Sequence, residues 1–134
     1  SRAMPKTTLP KPTDAELSIL RVLWSRGAST VREVHEVLER ERSAAYTTTL
    51  KLLQIMTTKG LTTRTAEGRG HRYEASLPEE ATQQHLIGDL LDRGFGGSAS
   101  KLVMQALAAR PASAEELAEI RQLLDDAAAN QKRD

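Results

Sequence analysis

Between Thr13 and Ala75 the chain carries start and stop signals for three consecutive helices and then, without a break, for one β-hairpin. That order constrains the fold more than any other feature. Thr13-Asp14-Ala15-Glu16 is a capping box. A Thr hydroxyl and a Glu carboxylate at this spacing satisfy two of the amides that a helix start leaves unbonded. Leu17, Leu20, Leu23 and Trp24 follow at helical spacing, and Gly27 ends the run. Trp24 falls within this stripe and reads as core. A second box, Thr30-Val31-Arg32-Glu33, opens a helix with Val31, Val34, Val37 and Leu38 on one face, and charged residues 39–42 run out of it. A third helix is expected from about Ala44 to Lys59, with Leu50, Leu53 and Met56 as its apolar stripe and Gly60 as its stop. Leu61 to Thr65 is rich in Thr and reads as a strand, Glu67-Gly68-Arg69-Gly70 as a turn, and His71 to Ala75 as the returning strand. The fold class is mainly α with a small β-hairpin wing. Residues 13–77 have the plan of a winged helix-turn-helix domain.

From Pro78 onward every signal is helical. Leu86, Ile87, Leu90 and Leu91 form a stripe that stops at Gly94, and Gly94-Phe95-Gly96-Gly97 reads as a flexible linker. Leu102, Val103, Ala106 and Leu107 make a further helix ended by Pro111. A third box, Ser113-Ala114-Glu115-Glu116, starts the last helix, with Leu117, Ile120, Leu123 and Leu124 on one face. Three short helices with one apolar face each make a thin core for an independent domain. Residues 78–130 are therefore expected to form a helical dimerisation domain that buries these faces against a second copy. Folding back onto the N-terminal domain of the same chain is the other arrangement open at this point. Residues 131–134 read as a frayed tail. Residues 1–12, with Pro5, Pro10 and Pro12 among lysines, read as an extended basic arm, and Ser1-Arg2-Ala3 before Met4 as an expression scar.

The formal charge of +1 conceals an asymmetry. Residues 1–75 hold 13 Lys/Arg against 8 Asp/Glu, whereas residues 76–134 hold 6 against 10. A basic half joined to an acidic half suits a protein whose first half alone meets a polyanion. The chain has no cysteine, which excludes a disulfide scaffold, a thiolate metal site and a Cys nucleophile. No apolar run approaches the roughly 18 residues of a membrane span, and no secretory leader is legible, so a cytoplasmic location without membrane insertion is expected.

A recognition helix needs an apolar face that seats it and polar side chains near its start that reach base edges. In the third helix Tyr46, Thr47, Thr48 and Lys51 fit that description, with Ala45 and Gln54 as further candidate contacts, although a Thr-rich helix start can also be a plain solvated face. Threonine can bond a base or a phosphate and can touch a thymine methyl; lysine reaches phosphate or guanine. In the hairpin, Arg64, Arg69, His71 and Arg72 are placed to reach phosphates or a narrow minor groove, or else to line a solvated turn. Tyr73 reads as strand packing. The three histidines, His35, His71 and His85, do not cluster at metal-ligand spacing, and His35 flanks an apolar stripe and is expected half-buried. No nucleophile arrangement or phosphate-cradling Gly loop is present, so neither an enzyme nor a cofactor is expected.

With these residues located, the sequence resembles the penicillinase-repressor family (BlaI/MecI/CopY). The resemblance rests on Pro12-Thr13-Asp14-Ala15-Glu16-Leu17-Ser18-Ile19-Leu20 leading to Val22-Leu23-Trp24, and on Tyr46-Thr47-Thr48-Thr49-Leu50-Lys51-Leu52-Leu53-Gln54-Ile55-Met56 ending in Lys59-Gly60-Leu61. It continues in the wing, Glu67-Gly68-Arg69-Gly70-His71-Arg72-Tyr73, and by pattern alone in the C-terminal half. It implies a homodimeric repressor of antibiotic-resistance or stress genes, bound to a dyad operator in double-stranded DNA. In penicillin-responsive members it further implies a membrane sensor-protease partner that triggers cleavage in the dimerisation domain. Their cleavage pair is Asn-Phe, and this chain departs from it with Gln105-Ala106 at the aligned position, so cleavage there would require a different specificity. Copper-responsive members carry a C-terminal Cys cluster, which this chain lacks. A small-molecule-sensing winged-helix regulator and a winged-helix protein–protein adaptor are the other readings.

Overall fold

The structure is a computed structural model that describes residues 10–41 and 43–133. Most of the expected basic arm and Arg42 lie outside the described residues. The order of elements is α1 (Asp14–Arg26), β1 (Ser29–Thr30), α2 (Val31–Glu41), α3 (Tyr46–Lys59), β2 (Thr62–Glu67), β3 (Gly70–Ala75), α4 (Glu79–Gly94), α5 (Ala99–Ala109) and α6 (Ala114–Arg133). Contacts divide the chain into two compact units, the first ending at Ile87 and the second beginning at Gly88.

Helix α1 starts at the predicted box: the Thr13 hydroxyl accepts from the Glu16 N–H at 3.2 Å, and Glu16 Oε1 accepts from the Thr13 N–H at 2.9 Å. Glu33 and Thr30 repeat this reciprocal pair at the start of α2. Helix α3 ends in a Schellman turn. Gly60, at φ 88°, donates its N–H to the Thr57 carbonyl, and Leu61 donates to the Met56 carbonyl. Only a residue tolerant of the left-handed region can make that reversal cheaply, and it delivers the chain straight from α3 into β2. Two-residue turn geometry closes the hairpin, because Glu67 pairs with Gly70. Gly68 has φ 59° while Arg69 is not left-handed, as a type II′ turn requires.

The sheet has three antiparallel strands in the order β1-β3-β2. Strand β1 is an addition to the hairpin that the sequence signals predict. It pairs Ser29 with Tyr73 and Thr30 with Arg72. Opposite residues of an antiparallel pair share a face, so Ser29, Arg64 and Tyr73 lie on one side and Thr30, Thr65 and Arg72 on the other. The Tyr73 side faces the core at Tyr73 and Ser29, which are buried, whereas Arg64 on the edge strand β2 is exposed.

The core of this unit joins Ile19, Leu20, Val22 and Leu23 of α1, Val34 and Leu38 of α2, and Leu53 and Met56 of α3 to Leu61 and Tyr73. Truncating Leu53, which is fully buried, to Ala is expected to cost about 2–5 kcal/mol. Trp24 packs against this cluster and donates its indole N–H to the Leu77 carbonyl at 3.0 Å. Thr82 is buried as well, so the first half of α4 belongs with the winged domain. The contact division at Ile87 and the domain start read at Pro78 differ, because a Pro marks a helix start and says nothing of what that helix packs on.

In the second unit the Gly94–Gly97 segment, expected as a flexible linker, is a hydrogen-bonded reversal. Gly97 donates to Leu91 and Ser98 to Phe95, with Gly96 and Gly97 at φ 55° and 80°. Ser98 and Ser113 cap α5 and α6 through their hydroxyls. Helix α6 continues to Arg133, so residues 131–133, expected as a tail, are helical. No residue of α5 is buried.

Candidate nucleic-acid interface

Helix α3 buries Thr49, Leu53 and Met56, spaced four and three residues apart, and so turns Thr47, Thr48, Lys51, Gln54, Ile55 and Thr58 to solvent. The free face contains no carboxylate. Its start has no side-chain cap: Ala45, the extended N-cap, offers only its carbonyl, which accepts from Thr48 and Thr49. The amides of Tyr46 and Thr47 therefore point outward without a side-chain partner, in the manner of an anion-receiving helix terminus. Of the two lysines on α3, Lys59 is held by Glu16 at 2.9 Å, whereas no ion pair among the described residues engages Lys51. The hydroxyls of Thr47 and Thr48 are likewise free among the described residues.

Two side chains of α2 hold the start of α3. His35 Nδ1 lies 3.4 Å from the Thr49 hydroxyl, and its ring meets the Tyr46 ring edge-on at 5.5 Å. Arg32 places its guanidinium over the Tyr46 ring, 5.5 Å from the centroid, a cation–π contact. His35 is more enclosed than the half-burial expected of it, with its side chain 12% exposed. Tyr46 thus serves first as a spacer between α2 and α3, with one edge left to solvent. Thr49 was missed as a packing residue, yet its spacing to Leu53 and Met56 could have found it.

On the wing the four expected contacts separate. Arg64 and Arg69 are exposed and have no ion-pair partner among the described residues. His71 sits on the core side of β3, half-buried, its ring 6.2 Å from that of Tyr73. Arg72 differs most from expectation, because its whole guanidinium is engaged within the protein. Nε and Nη2 each donate to a carboxylate oxygen of Glu67 at 2.8 Å, and Nη1 donates to the Ala28 carbonyl at 2.9 Å and to Glu33 at 3.3 Å. Glu33 in turn meets Arg26 at 3.2 Å.

These contacts tune both partners. The Thr30 N–H bond, with Arg72 and Arg26 nearby, holds the Glu33 carboxyl below its usual value despite some desolvation. The Arg72 bond does the same for Glu67, and Glu67 raises Arg72 in return. Two arginines and two glutamates form a neutral brace that fixes the wing to the start of α2. Arg72 is the centre of the brace, and the cations that the wing offers outward are Arg64 and Arg69.

Three helices, the third with a carboxylate-free polar face, and a braced β-wing beside it define a winged helix-turn-helix protein. The chain belongs to the penicillinase repressor family, whose model it matches from residue 12 to residue 126. That family consists of transcriptional repressors and not of enzymes. The chain is 36% identical over 80 residues to the transcriptional regulator BlaI of Mycobacterium tuberculosis, a match covering 59% of this chain and 56% of that protein. It thus spans little more than half the length of this relative. To the penicillinase repressor of Bacillus licheniformis it is 25% identical over 118 residues, covering 88% of this chain and 92% of the relative. Among solved structures it is similar to the monomeric form of Bacillus licheniformis BlaI in complex with the blaP half-operator, with 26% identity and a TM-score of 0.48 over 54% of this chain and 88% of that one.

The remaining predicted residues lie on α4, α5 and α6. Ile87, Leu90, Val103, Leu107, Leu117 and Leu124 are exposed, while Leu86, Leu91, Leu102 and Ile120 are half-buried. Gln105 and Ala106 are exposed on α5, inside its hydrogen-bonded length. No helix among the described residues is long and apolar enough to cross a membrane.

Proposed function

We propose that this protein is a homodimeric transcriptional repressor that binds a dyad operator in double-stranded DNA. The observation that carries the proposal is the α3 face, which among the described residues joins a helix start without a side-chain cap, free Thr47 and Thr48 hydroxyls and an unpaired Lys51, together with the exposed wing cations Arg64 and Arg69. A groove lined by phosphates and base edges complements such a surface. The dimer would place two copies of α3 in major grooves one helical turn apart, about 34–36 Å, or another whole-turn spacing. Lys51, Arg64 and Arg69 neutralise phosphates in this reading; Ala45, Tyr46, Thr47, Thr48 and Gln54 lie at the base edges or the flanking backbone; Arg72 and His71 hold the wing in shape.

The second copy is called for by the apolar side chains of the C-terminal helices, among which Met104, Leu123 and Leu124 are each at least 60% exposed. A soluble chain seldom leaves so many large apolar side chains bare. Any signal that lowers the dimer population releases the operator, because a single domain makes half the contacts. Cleavage at Gln105-Ala106 by a membrane sensor-protease is one such signal. It requires α5 to open locally first, since a protease binds extended backbone.

Retardation of a dyad-containing promoter fragment at low salt tests the proposal. A shifted complex of two chains per duplex is expected, and no retardation at any protein concentration would overturn it.

A further inference from the structure

The free face of α3 carries more carbon than its residue names suggest. Thr47, Thr48, Lys51, Leu52 and Ile55 line one shallow concavity whose exposed walls are mostly apolar. Ile55 is 39% exposed and stands on the solvent side. Ile55 is not part of the core, to which this helix contributes Leu53 and Met56 with Leu50 and Leu52 packed against them. Lys51 is the one free cation of this helix among the described residues, so most of the face has no charge with which to read guanine. What it presents is methyl groups.

We infer that Ile55, with the methyls of Thr47 and Thr48, determines operator specificity by packing on thymine 5-methyl groups in the major groove. This rests on the proposal that α3 enters duplex DNA. Among the four bases only thymine displays a methyl there, so an apolar contact at these positions selects it over cytosine without a hydrogen bond. The spacing adds a geometric requirement. Thr47 and Ile55 are eight residues apart, about 12 Å along the helix axis, or roughly three to four base-pair steps. The half-site therefore carries two methyl-reading positions separated by about that distance, with the Lys51 contact between them.

The experiment starts from the duplex that the full-length protein recovers from a random-sequence pool. Each thymine of a half-site is then replaced in turn by deoxyuridine, which removes one methyl and leaves the hydrogen-bonding edge unchanged. Burial of a methyl group is worth about a fourfold change in affinity. A loss of about fourfold is expected at one position near each end of the contacted segment. Ile55→Ala should abolish the loss at one of these positions and keep it at the other. Lys51→Ala is the control, because it should weaken binding to thymine and deoxyuridine duplexes alike. Ile55 is exposed, so a thermal melt matching wild type establishes that the variant is folded. Tight binding with no deoxyuridine effect overturns the inference and leaves the DNA-binding reading intact, as does an effect that Ile55→Ala does not remove. Recovery of no duplex overturns both.

Discussion

Lys59 Nζ stands 2.9 Å from both carboxylate oxygens of Glu16, across 43 residues of sequence, while the same carboxylate accepts the N–H of Thr13. Glu16 is 2% exposed, so a residue that looks like a routine helix cap is also a buried tie between the start of α1 and the end of α3. That tie fixes the helix bearing the candidate interface to the rest of the domain.

Removing the ammonium should therefore cost stability. Lys59→Met leaves the Glu16 carboxylate buried with only its Thr13 bonds, and a loss on the order of 2–3 kcal/mol is expected. That lies below the cost of breaking a fully buried pair, because Lys59 is a third exposed. Glu16→Gln keeps a capping acceptor and should lose less. Urea unfolding followed by far-ultraviolet circular dichroism measures both.

Acid should weaken the same tie. Burial pushes the Glu16 carboxyl up, but the Lys59 ammonium and the Thr13 bonds more than offset this, so its pKa in the folded state is lowered. A lowered folded-state pKa contributes stability that is fully present above the unfolded-state value and is lost as pH falls through the folded one. Glu33 and Glu67 act with the same sign. The melting temperature should hold on the neutral side of the carboxylate range and drop within it. Lys59→Met should show a smaller drop, since its Glu16 pKa is no longer held down by the ammonium.

The brace around Arg72 predicts an effect on DNA binding without a contact to DNA. Arg72→Ala leaves Glu67 without its cation and Glu33 with Arg26 alone, and it releases the hairpin from the start of α2. Operator affinity should fall. Arg72→Lys should restore it poorly, because an ammonium cannot reproduce the paired bonds to Glu67. Amide hydrogen exchange in the β2–β3 turn should speed up in both variants, a change that loss of a simple phosphate contact would not produce.

Dimerisation is open to a direct attack. Leu124→Glu on α6 places a charge among exposed apolar side chains. Sedimentation should show a monomer with helicity retained. Affinity for a dyad duplex should fall to that of a single half-site, while half-site binding by the domain should be unchanged.

How much of this was legible in the sequence depended on how far apart the interacting residues lie. The caps at Thr13 and Thr30 and the Gly60 stop involve neighbours within a few positions, and the structure has them as predicted. Strand β1 went unread because two residues cannot show alternation, and Thr30 was already accounted for as a helix cap. Arg72 looked like its neighbour Arg69 by residue type. Its partners at Ala28 and Glu33 lie about forty residues away, and only the folded sheet brings them together. Ile55 lay within a helix already supplied with an apolar stripe, and nothing but the helical phase puts it outside.

The most direct test of the central claim, that the α3 face and the wing tip bind duplex DNA, is the salt dependence of operator affinity for wild type and for Lys51→Ala/Arg69→Ala. Each lost phosphate contact should reduce the slope of log affinity against log salt by about 0.9. The double variant should bind more weakly and less steeply, by about 1.8 per chain, with an unchanged melting temperature. Equal affinity and equal slope in the two proteins would contradict the claim.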